Sequence, residues 1–471
     1  MLESTGTTGV HKCPHEILLD IFEALVPNYA TLYSCTLVNR QFNKAASKVL
    51  YTRIVYSPHS NARTLSLRDR GKLLEPSAFV SSMLPYNAIH VQRLEIHGDV
   101  PTRPPPFNQL QEKLPIAIHA YRNLRTAVFT PASHCPDTFT EALVQLQGLP
   151  CLEEVEVNAS CADEQRALLL AGIPHLTKLT LRDPPRAILQ LLPEWLGLLK
   201  GSLLYFHLKG NCGSITPGVL RSLIPYLQGI RSFSLGLSYS LADVDVFHFL
   251  DHLPSLTHVQ LQYYLQFNAP KSVPPFPRLR SLSVKHSILD TRQGVDRFCV
   301  WIRRIISFSK LESLHLIDDT SPSVCGASVS FDGLGEHISK RHGPTIKYLN
   351  LGSAFLGLPS LRHLCQCCPK LELLRIAVSL DTLSKFGTVS QGLTHLHTVE
   401  VYVRNTRRSL CNFNDTFISR VFQDAPKSLR RVTVDHTTWE VRWDTREPDM
   451  GVISVKKVPA VVLPWDMHSF R

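Results

Sequence analysis

The sequence predicts an α/β solenoid in which a parallel sheet forms the concave face and helices form the convex face, preceded by a short helical module. Three observations lead to this fold class. An apolar pattern of the form L-x-x-L-x-L recurs along most of the 471-residue chain, helical spacing fills the intervals between its copies, and a different helical pattern occupies residues 13–56.

The recurring pattern predicts the strands of the sheet. Its thirteen copies begin at Val91, Leu124, Leu152, Leu176, Leu203, Ile230, Leu256, Leu279, Leu311, Ile346, Leu371, Leu396 and Leu429. The mean spacing of about 28 residues is typical of leucine-rich repeats, which are degenerate here. The alternating half of each copy suits a strand with one buried face. Because one repeat cannot bury its apolar ridge alone, neighbouring repeats must stack.

Helices are predicted between the strands. Apolar residues at helical spacing include Phe139, Leu143 and Leu146 in one interval and Phe298, Trp301, Ile302 and Ile305 in another. A proline often precedes the next strand, at positions 150, 174, 254, 277, 369 and 426. Proline there ends the helix and directs the chain into the strand.

These patterns divide the chain into five regions. We expect a disordered N-terminus (1–12), a helical module (13–56), a linker (57–86), a solenoid of about thirteen repeats (87–435) and a C-terminal cap or tail (436–471). In the last region, Trp439 and Trp443 are expected to cover the final repeat.

The composition indicates which classes of protein and which ligands are expected. Hydrophobic residues make up 44% of the chain, no apolar run is long enough to span a membrane, and the first residues contain no hydrophobic segment. We therefore expect a cytoplasmic or nuclear protein without a membrane partner. Twelve cysteines are expected to be free thiols. The C-x-x-C spacing of Cys365 and Cys368 has no second ligand pair, so packing explains it better than zinc, and we expect no metal and no cofactor.

The helical module contains more large apolar residues than so short a segment can bury. Its first helix has an apolar stripe of Ile17, Leu18, Ile21, Phe22 and Leu25, and a second set follows Pro27. An apolar surplus on a small module is typical of a surface that binds helices of a partner protein.

The order of residues in this module resembles the F-box motif. The resemblance rests on Pro14-x-Glu16-Ile17-Leu18-x-x-Ile21-Phe22-x-x-Leu25, followed by Leu32, Cys35, Leu37-Val38, Arg40, Phe42 and Leu50-Tyr51. Arginine and phenylalanine at 40 and 42 resemble fungal members with degenerate repeats. Cys13 departs from the leucine that usually precedes the proline. The alternative is a helical cap that only shields the first repeat.

The resemblance implies a function. It implies the substrate-recognition subunit of an SCF-type cullin-RING ubiquitin ligase, which docks on a Skp-type adaptor and, through it, on cullin and RING subunits. Such a subunit is not an enzyme. By the same resemblance, nine residues form the adaptor contact or the helical core beneath it: Pro14, Ile17, Leu18, Ile21, Phe22, Leu32, Leu37, Val38 and Phe42.

The repeats are expected to bind an unidentified protein substrate through strand residues that point away from the core. The candidates are Lys178, Tyr205, His207, His258, His315, Tyr348, Asn350, Arg375 and Arg431. One alternative is a non-catalytic repeat scaffold that acts outside a ubiquitin ligase. Another is nucleic-acid binding, suggested by the net charge of +11. Scattered basic residues without interleaved aromatic residues argue against nucleic acid.

Overall fold

A computed structural model describes residues 13–26, 28–57, 77–100, 109–133, 136–264, 275–287, 289, 291–318, 330–404, 413–443 and 452–458. The predicted disordered N-terminus, Pro27, the side chain of Trp443 and residues 459–471 lie outside this description. The chain forms two compact units, Met1–Lys209 and Gly210–Arg471. The boundary falls inside the region that the sequence predicts as one solenoid.

The first unit contains the helical module and the first strands. Its helices are α1 (His15–Ala24), α2 (Tyr29–Thr36), α3 (Arg40–Thr52), α4 (Ser77–Ser82), α5 (Pro85–Ala88), α6 (Gln109–Ala120), α7 (Thr140–Gln147), α8 (Ala167–Ala171) and α9 (Arg186–Leu199). Its strands are β1 (Arg53–Tyr56), β2 (Arg93–Asp99), β3 (Thr126–Ser133), β4 (Glu154–Val157), β5 (Lys178–Arg182) and β6 (Tyr205–Asn211), which ends just past the boundary. Each strand pairs in parallel with the next along the chain.

The second unit continues the alternation of strand and helix. Its helices are α10 (Pro217–Leu227), α11 (Asp243–Asp251), α12 (Arg292–Ile306), α13 (Asp332–His342), α14 (Leu358–Cys367), α15 (Leu380–Ser384), α16 (Phe386–Ser390) and α17 (Asp415–Val421). Its strands are β7 (Ser232–Leu237), β8 (His258–Tyr263), β9 (Ser281–His286), β10 (Ser313–Asp318), β11 (Tyr348–Phe355), β12 (Leu373–Ser379), β13 (Thr398–Arg404), β14 (Arg431–Val434), β15 (Thr437–Trp443) and β16 (Val452–Val458). Strands β7 to β14 are parallel neighbours in chain order.

The repeat pattern predicts the strands correctly. Each of the thirteen copies coincides with one of the strands β2 to β14. All three apolar positions of every copy are buried, with no side chain more than 5% exposed. Burying one such side chain contributes roughly 1.5–3 kcal/mol, so these positions form the main core of each unit.

The sheet begins earlier than the sequence predicts. Strand β1 lies inside the predicted helical module and follows α3 without a gap, and Arg53 pairs with Arg93 of β2. The predicted linker is also structured in part, because α4 lies within it and α5 begins within it. The rest of that linker, residues 58–76, lies outside the described residues.

The parallel run ends at a tight hairpin. Asp435 and His436 have φ values of 42° and 75°, which suit a two-residue turn between antiparallel strands. Strands β15 and β16 therefore pair antiparallel beyond β14. Trp439 in β15 is buried, and its indole Nε1 donates to Asp415 Oδ1 at 2.8 Å. The predicted covering of the last repeat by Trp439 is consistent with these contacts.

Among the described residues, no helix is long and apolar enough to cross a bilayer. The apolar faces of the helices pack in the core instead, as in α12, where Phe298, Trp301, Ile302 and Ile305 are buried as the sequence predicts.

Candidate functional site

The three helices of the N-terminal module enclose a small core. Leu18 and Phe22 from α1 and Leu32 from α2 are at most 3% exposed, and they pack with Ala45, Ala46 and Val49 of α3. The ring of Phe42 is half-buried and meets the ring of Phe22 edge-on at 5.4 Å between centroids. Four of the nine predicted adaptor-site residues therefore build or flank this core.

Asparagine side chains fix where the second and third helices begin. Asn28 accepts a hydrogen bond from the backbone N–H of Thr31 at 3.1 Å, and Asn39 accepts one from Phe42 at 2.9 Å. These are N-caps, which satisfy backbone donors that the first helical turn leaves free. Asn43 donates to the carbonyl oxygen of Thr36 at 2.7 Å. Together these bonds hold the turn at residues 37–38 between α2 and α3.

A second set of apolar side chains in the module faces solvent. The exposed fractions are 48% for Ile17, 49% for Ile21, 57% for Tyr33, 71% for Leu37 and 60% for Val38. Ile17 and Ile21 stand one helical turn apart, as do Tyr33 and Leu37, so each pair shares a helix face. We call these five residues the module's apolar surface.

The module's apolar surface overlaps with the predicted adaptor-site residues. Four of its members are among those residues, and the remaining predicted residue, Pro14, is exposed at the start of α1. The fifth member, Tyr33, is not among the predicted residues. Its position one turn before Leu37 could have indicated it, because residues at that spacing lie on one helix face.

Cys13, which departs from the family pattern, contributes to the core. Its side chain is half-buried and packs against the cluster around Leu18, while its carbonyl oxygen accepts a hydrogen bond from the Gln41 side chain. The small thiol therefore still covers one edge of the helical core.

An ion cluster connects the module to the first repeats. Glu95 of β2 is 3% exposed and accepts two hydrogen bonds from Arg53 of β1, at 2.7 and 2.8 Å. Arg93 and His97 also donate to this carboxylate, His97 at 2.9 Å. Burial alone would raise the pKa of Glu95, but the hydrogen bonds from His97, Arg53 and Arg93 outweigh it and hold that pKa far below its usual range.

The predicted substrate residues of the first unit lie on neighbouring strands. Lys178 of β5 is aligned with Tyr205 of β6, and Thr180 is aligned with His207. Lys178 contacts Glu154 at 3.4 Å, so its charge is already partly neutralised. Tyr205 is 38% exposed and His207 is half-buried. These side chains form a polar surface on two adjacent strands.

Two predicted substrate residues of the second unit are buried rather than exposed. Asn350 is 2% exposed, and its Oδ1 accepts from the backbone N–H of Gly352 at 2.8 Å. Gly352 has φ of 58°, so Asn350 stabilises a local turn. His315 is 8% exposed and bonds through Nε2 to Ser313. Both are corrections to the expectation that these side chains face solvent.

The remaining candidates of the second unit include an exposed His258 and a half-buried Arg431. Tyr348 donates its hydroxyl to Glu372 at 3.0 Å. Burial and this acceptor both raise the pKa of Tyr348. Arg375 pairs with Glu400 at 3.0 Å.

The Arg375 guanidinium has a second contact on the neighbouring strand. It lies 5.3 Å from the ring centroid of Tyr402, whose hydroxyl donates to Glu400 at 2.8 Å. Arginine, tyrosine and glutamate thus form one bonded group. Its charge is balanced, so this part of the sheet is polar but not strongly charged.

The described residues were predicted to include a C-x-x-C pair that packs in the core rather than binding zinc. No group of three metal-ligating side chains occurs among them. Burial raises the pKa of the Cys365 and Cys368 thiols to about 12. These thiols are therefore neutral near pH 7, and a neutral thiol is a poor nucleophile and a poor metal ligand.

Comparisons with known proteins identify the N-terminal segment. Residues 13–57 match the F-box-like family model. None of the curated proteins compared with the chain matches it. One similar solved structure is the crystal structure of the Rad7 and Elc1 complex in yeast, with 14% identity and a TM-score of 0.41, covering 84% of this chain and 91% of that chain. Another is the TLR13–ssRNA13 complex, with 15% identity and a TM-score of 0.33, covering 76% and 47%.

Proposed function

Because residues 13–57 are an F-box-like domain, we propose that this chain is the substrate-recognition subunit of an SCF-type cullin-RING ubiquitin ligase. In this proposal the module docks on a Skp-type adaptor, which connects it to cullin and RING subunits. The repeats bind a protein substrate, and the complex acts in the cytoplasm or the nucleus.

The observation that carries the proposal is the apolar surface of the module. Ile17, Ile21, Tyr33, Leu37 and Val38 are large side chains that the fold leaves in water. Burying each of them against helices of a partner would contribute roughly 1–3 kcal/mol, which offsets part of the entropy that association costs. The adaptor contact is therefore assigned to these exposed residues, while Leu18, Phe22 and Leu32 support them from below.

The proposed role requires no catalytic residue in this chain. A substrate receptor accelerates transfer by holding the substrate near the conjugating enzyme, which raises the effective concentration of the reacting groups.

Substrate recognition is assigned to the polar face of the strands. The accessible candidates are Lys178, Tyr205, His207, His258, Tyr348, Arg375 and Arg431. Several of their charges are paired within the chain, as in Lys178 with Glu154 and Arg375 with Glu400. A surface of paired charges and hydroxyls favours a protein surface over a small, highly charged ligand.

Capture of a purified Skp-type adaptor by the full chain tests the proposal. The variant Ile17→Asp/Val38→Asp places two carboxylates in the apolar surface, and it spares Phe22, whose replacement would unfold the module. The matched control is Val244→Asp, at a side chain of α11 that is 69% exposed. We expect capture by the wild type and the control, and at least about a hundredfold weaker capture by the double variant.

Two results would count against the proposal. If the folded wild type captures no adaptor, the module does not dock as proposed. If the double variant captures adaptor as well as the wild type does, the contact lies elsewhere. Adaptor capture without cullin-dependent ubiquitination of any bound protein would instead favour a scaffold that acts outside a ligase.

A further inference from the structure

Four consecutive helical segments of the first unit repeat one surface pattern. Each has an exposed aliphatic side chain that follows an exposed glutamate by three or four residues: Glu112 and Ile116, Glu141 and Val144, Glu164 and Leu168, Glu194 and Leu198. Glu164 lies in the turn before α8, and the other three glutamates lie within their helices. We call the four aliphatic residues the aliphatic row and the four glutamates the acidic row. The aliphatic side chains are 60%, 41%, 66% and 69% exposed, in chain order.

The stacking of the repeats brings these residues side by side. Helix α6 packs against α7, α7 against α8, and α8 against α9. Ile116, Val144 and Leu168 each stand eight residues before the first apolar residue of the next strand pattern, so they occupy equivalent positions in three successive repeats. Leu198 lies on the last turn of the longer helix α9. Equivalent positions of stacked repeats line up across the helical face.

The carboxylates of the acidic row are not paired with cations among the described residues. Within the part of the chain that the structure describes, none of its four glutamates forms an ion pair, and Glu141 accepts only a neutral hydrogen bond from Gln145 at 3.1 Å. The chain as a whole carries a net charge of +11. The acidic row therefore places negative charge beside the aliphatic row, whereas the chain as a whole is positively charged.

Two helical segments of the second unit have a lysine, rather than an aliphatic residue, one turn after an exposed acidic residue. In α13, Glu336 is followed one turn later by Lys340, and their charged groups lie 2.7 Å apart. Asp381 and Lys385 repeat this arrangement at 3.0 Å. Folding of a helix at the surface is compatible with either choice, so the aliphatic choice in the first unit calls for an explanation outside the fold.

We propose that the aliphatic and acidic rows together bind a basic amphipathic helix of a partner protein. The apolar face of that helix would cover the aliphatic row, and lysine or arginine residues along its edge would meet the acidic row. This mode needs both elements, because apolar burial supplies affinity and opposite charge fixes the orientation.

The dimensions of the surface fit one helix. Packed helices lie about 8–10 Å apart, so the three gaps between four helices span on the order of 30 Å. An α-helix of about 20 residues has this length. A partner helix crossing the four helices would thus meet all four aliphatic side chains. A membrane with anionic headgroups would be repelled by the acidic row.

Binding of synthetic peptides to the full chain tests this proposal. The probe is a fluorescent peptide of about 20 residues with leucine along one helix face and lysine on both edges of it. One comparison peptide has glutamate in place of lysine, and another has the same composition in a permuted, non-amphipathic order. We expect the leucine–lysine peptide to bind, with an affinity that falls as salt is added, and the other two not to bind.

Variants locate the binding. Ile116→Ser/Leu168→Ser removes aliphatic surface, and Glu112→Gln/Glu164→Gln removes charge while keeping shape. Each should weaken binding of the leucine–lysine peptide about tenfold or more, a change equivalent to about 1.4 kcal/mol or more. The control Val244→Ser/Glu336→Gln, in the second unit, should bind like the wild type.

Several results would overturn the proposal: no binding to the wild type, equal binding of the permuted peptide, or unchanged binding in both test variants. Self-association of the chain that Ile116→Ser/Leu168→Ser abolishes would also overturn it, because a second copy would then be the occupant. All these variants should capture the Skp-type adaptor equally well. Failure of the helix-binding proposal is therefore distinguishable from failure of the F-box proposal.

Discussion

The repeat strands and the F-box helices use apolar residues differently. In the strands, every apolar position of the recurring pattern is buried within its unit. In the F-box helices, Leu18, Phe22 and Leu32 are buried, but Ile17, Ile21, Leu37 and Val38 remain in water. The strands therefore complete their core with residues of this chain alone. The F-box-like module leaves a set of large apolar side chains exposed to water, and we propose that a partner protein covers them.

The largest difference is expected between leucine-to-alanine substitutions in a repeat strand and on the surface of the F-box-like module. Leu314 of β10 is fully buried, and Leu37 is 71% exposed. Leu314→Ala should lower the free energy of unfolding by about 2–5 kcal/mol, because it leaves a cavity in the core. Leu37→Ala should change it by less than about 0.5 kcal/mol. Urea unfolding followed by circular dichroism measures both, and comparable losses would remove the distinction.

A second pair compares a buried and an exposed carboxylate. The carboxylate of Glu95 is buried and is held by Arg53, Arg93 and His97. Glu95→Gln should lower the free energy of unfolding by about 1–3 kcal/mol, since these partly exposed cations then lose the charge that pairs with them. Glu153, which pairs with Arg125 at 3.1 Å on the surface, should cost less than about 1 kcal/mol. Thermal unfolding of the two variants gives the comparison, and a larger loss for Glu153→Gln would contradict it.

Around the boundary between F-box and repeats, the sequence predicts some structural features and not others. Spacing alone located the thirteen strands, because a buried face imposes alternation. It missed β1, whose four residues Arg53–Tyr56 carry no copy of the pattern and are defined by pairing with β2. It also could not separate Leu18 from Ile17, since both are large aliphatic residues of one helix stripe. That separation depends on where α3 packs.

The polar sites were harder to predict for a related reason. Asn350 and His315 occupy strand positions that alternation assigns to the face opposite the core, yet both are buried. Local partners satisfy their polar atoms there, the N–H of Gly352 and the hydroxyl of Ser313, and no sequence period encodes such contacts. The pairing of Arg375 with Glu400 likewise depends on the register between β12 and β13.

A buried histidine of the second unit should make the stability of the fold depend on pH. His342 is 1% exposed, and burial, with smaller effects of His337 and Arg341, lowers its pKa from 6.5 to about 4. Below pH 6.5 the unfolded chain takes up a proton that the folded chain excludes. The free energy of unfolding therefore keeps its full value above pH 6.5. It decreases as the pH falls from 6.5 towards 4, by up to about 1.4 kcal/mol per pH unit.

The variant His342→Leu isolates this effect. Urea unfolding measured from pH 7 to pH 4.5 should show a smaller decrease in stability for the variant than for the wild type. Because the slope with pH is compared, any constant change caused by the new side chain does not affect the result. An unchanged slope would show that His342 does not titrate in this way.

The smallest expected effect concerns the exposed ion pair on α13. Lys340→Leu removes the contact with Glu336 and recreates in the second unit the glutamate–aliphatic pattern of the first. It should leave the free energy of unfolding almost unchanged, because water screens an ion pair that is fully exposed. A clear loss of stability in thermal unfolding would mean that the two surface patterns differ because of folding rather than because of a partner.

Hydrogen–deuterium exchange of the full chain, with and without a Skp-type adaptor, tests the central claim most directly. The account predicts that the adaptor slows amide exchange in α1 and in residues 33–38, where the exposed apolar side chains lie, and leaves strands β7 to β14 unchanged. Protection confined to the repeats, or no protection of α1 and residues 33–38 in a complex shown to have formed, would contradict it.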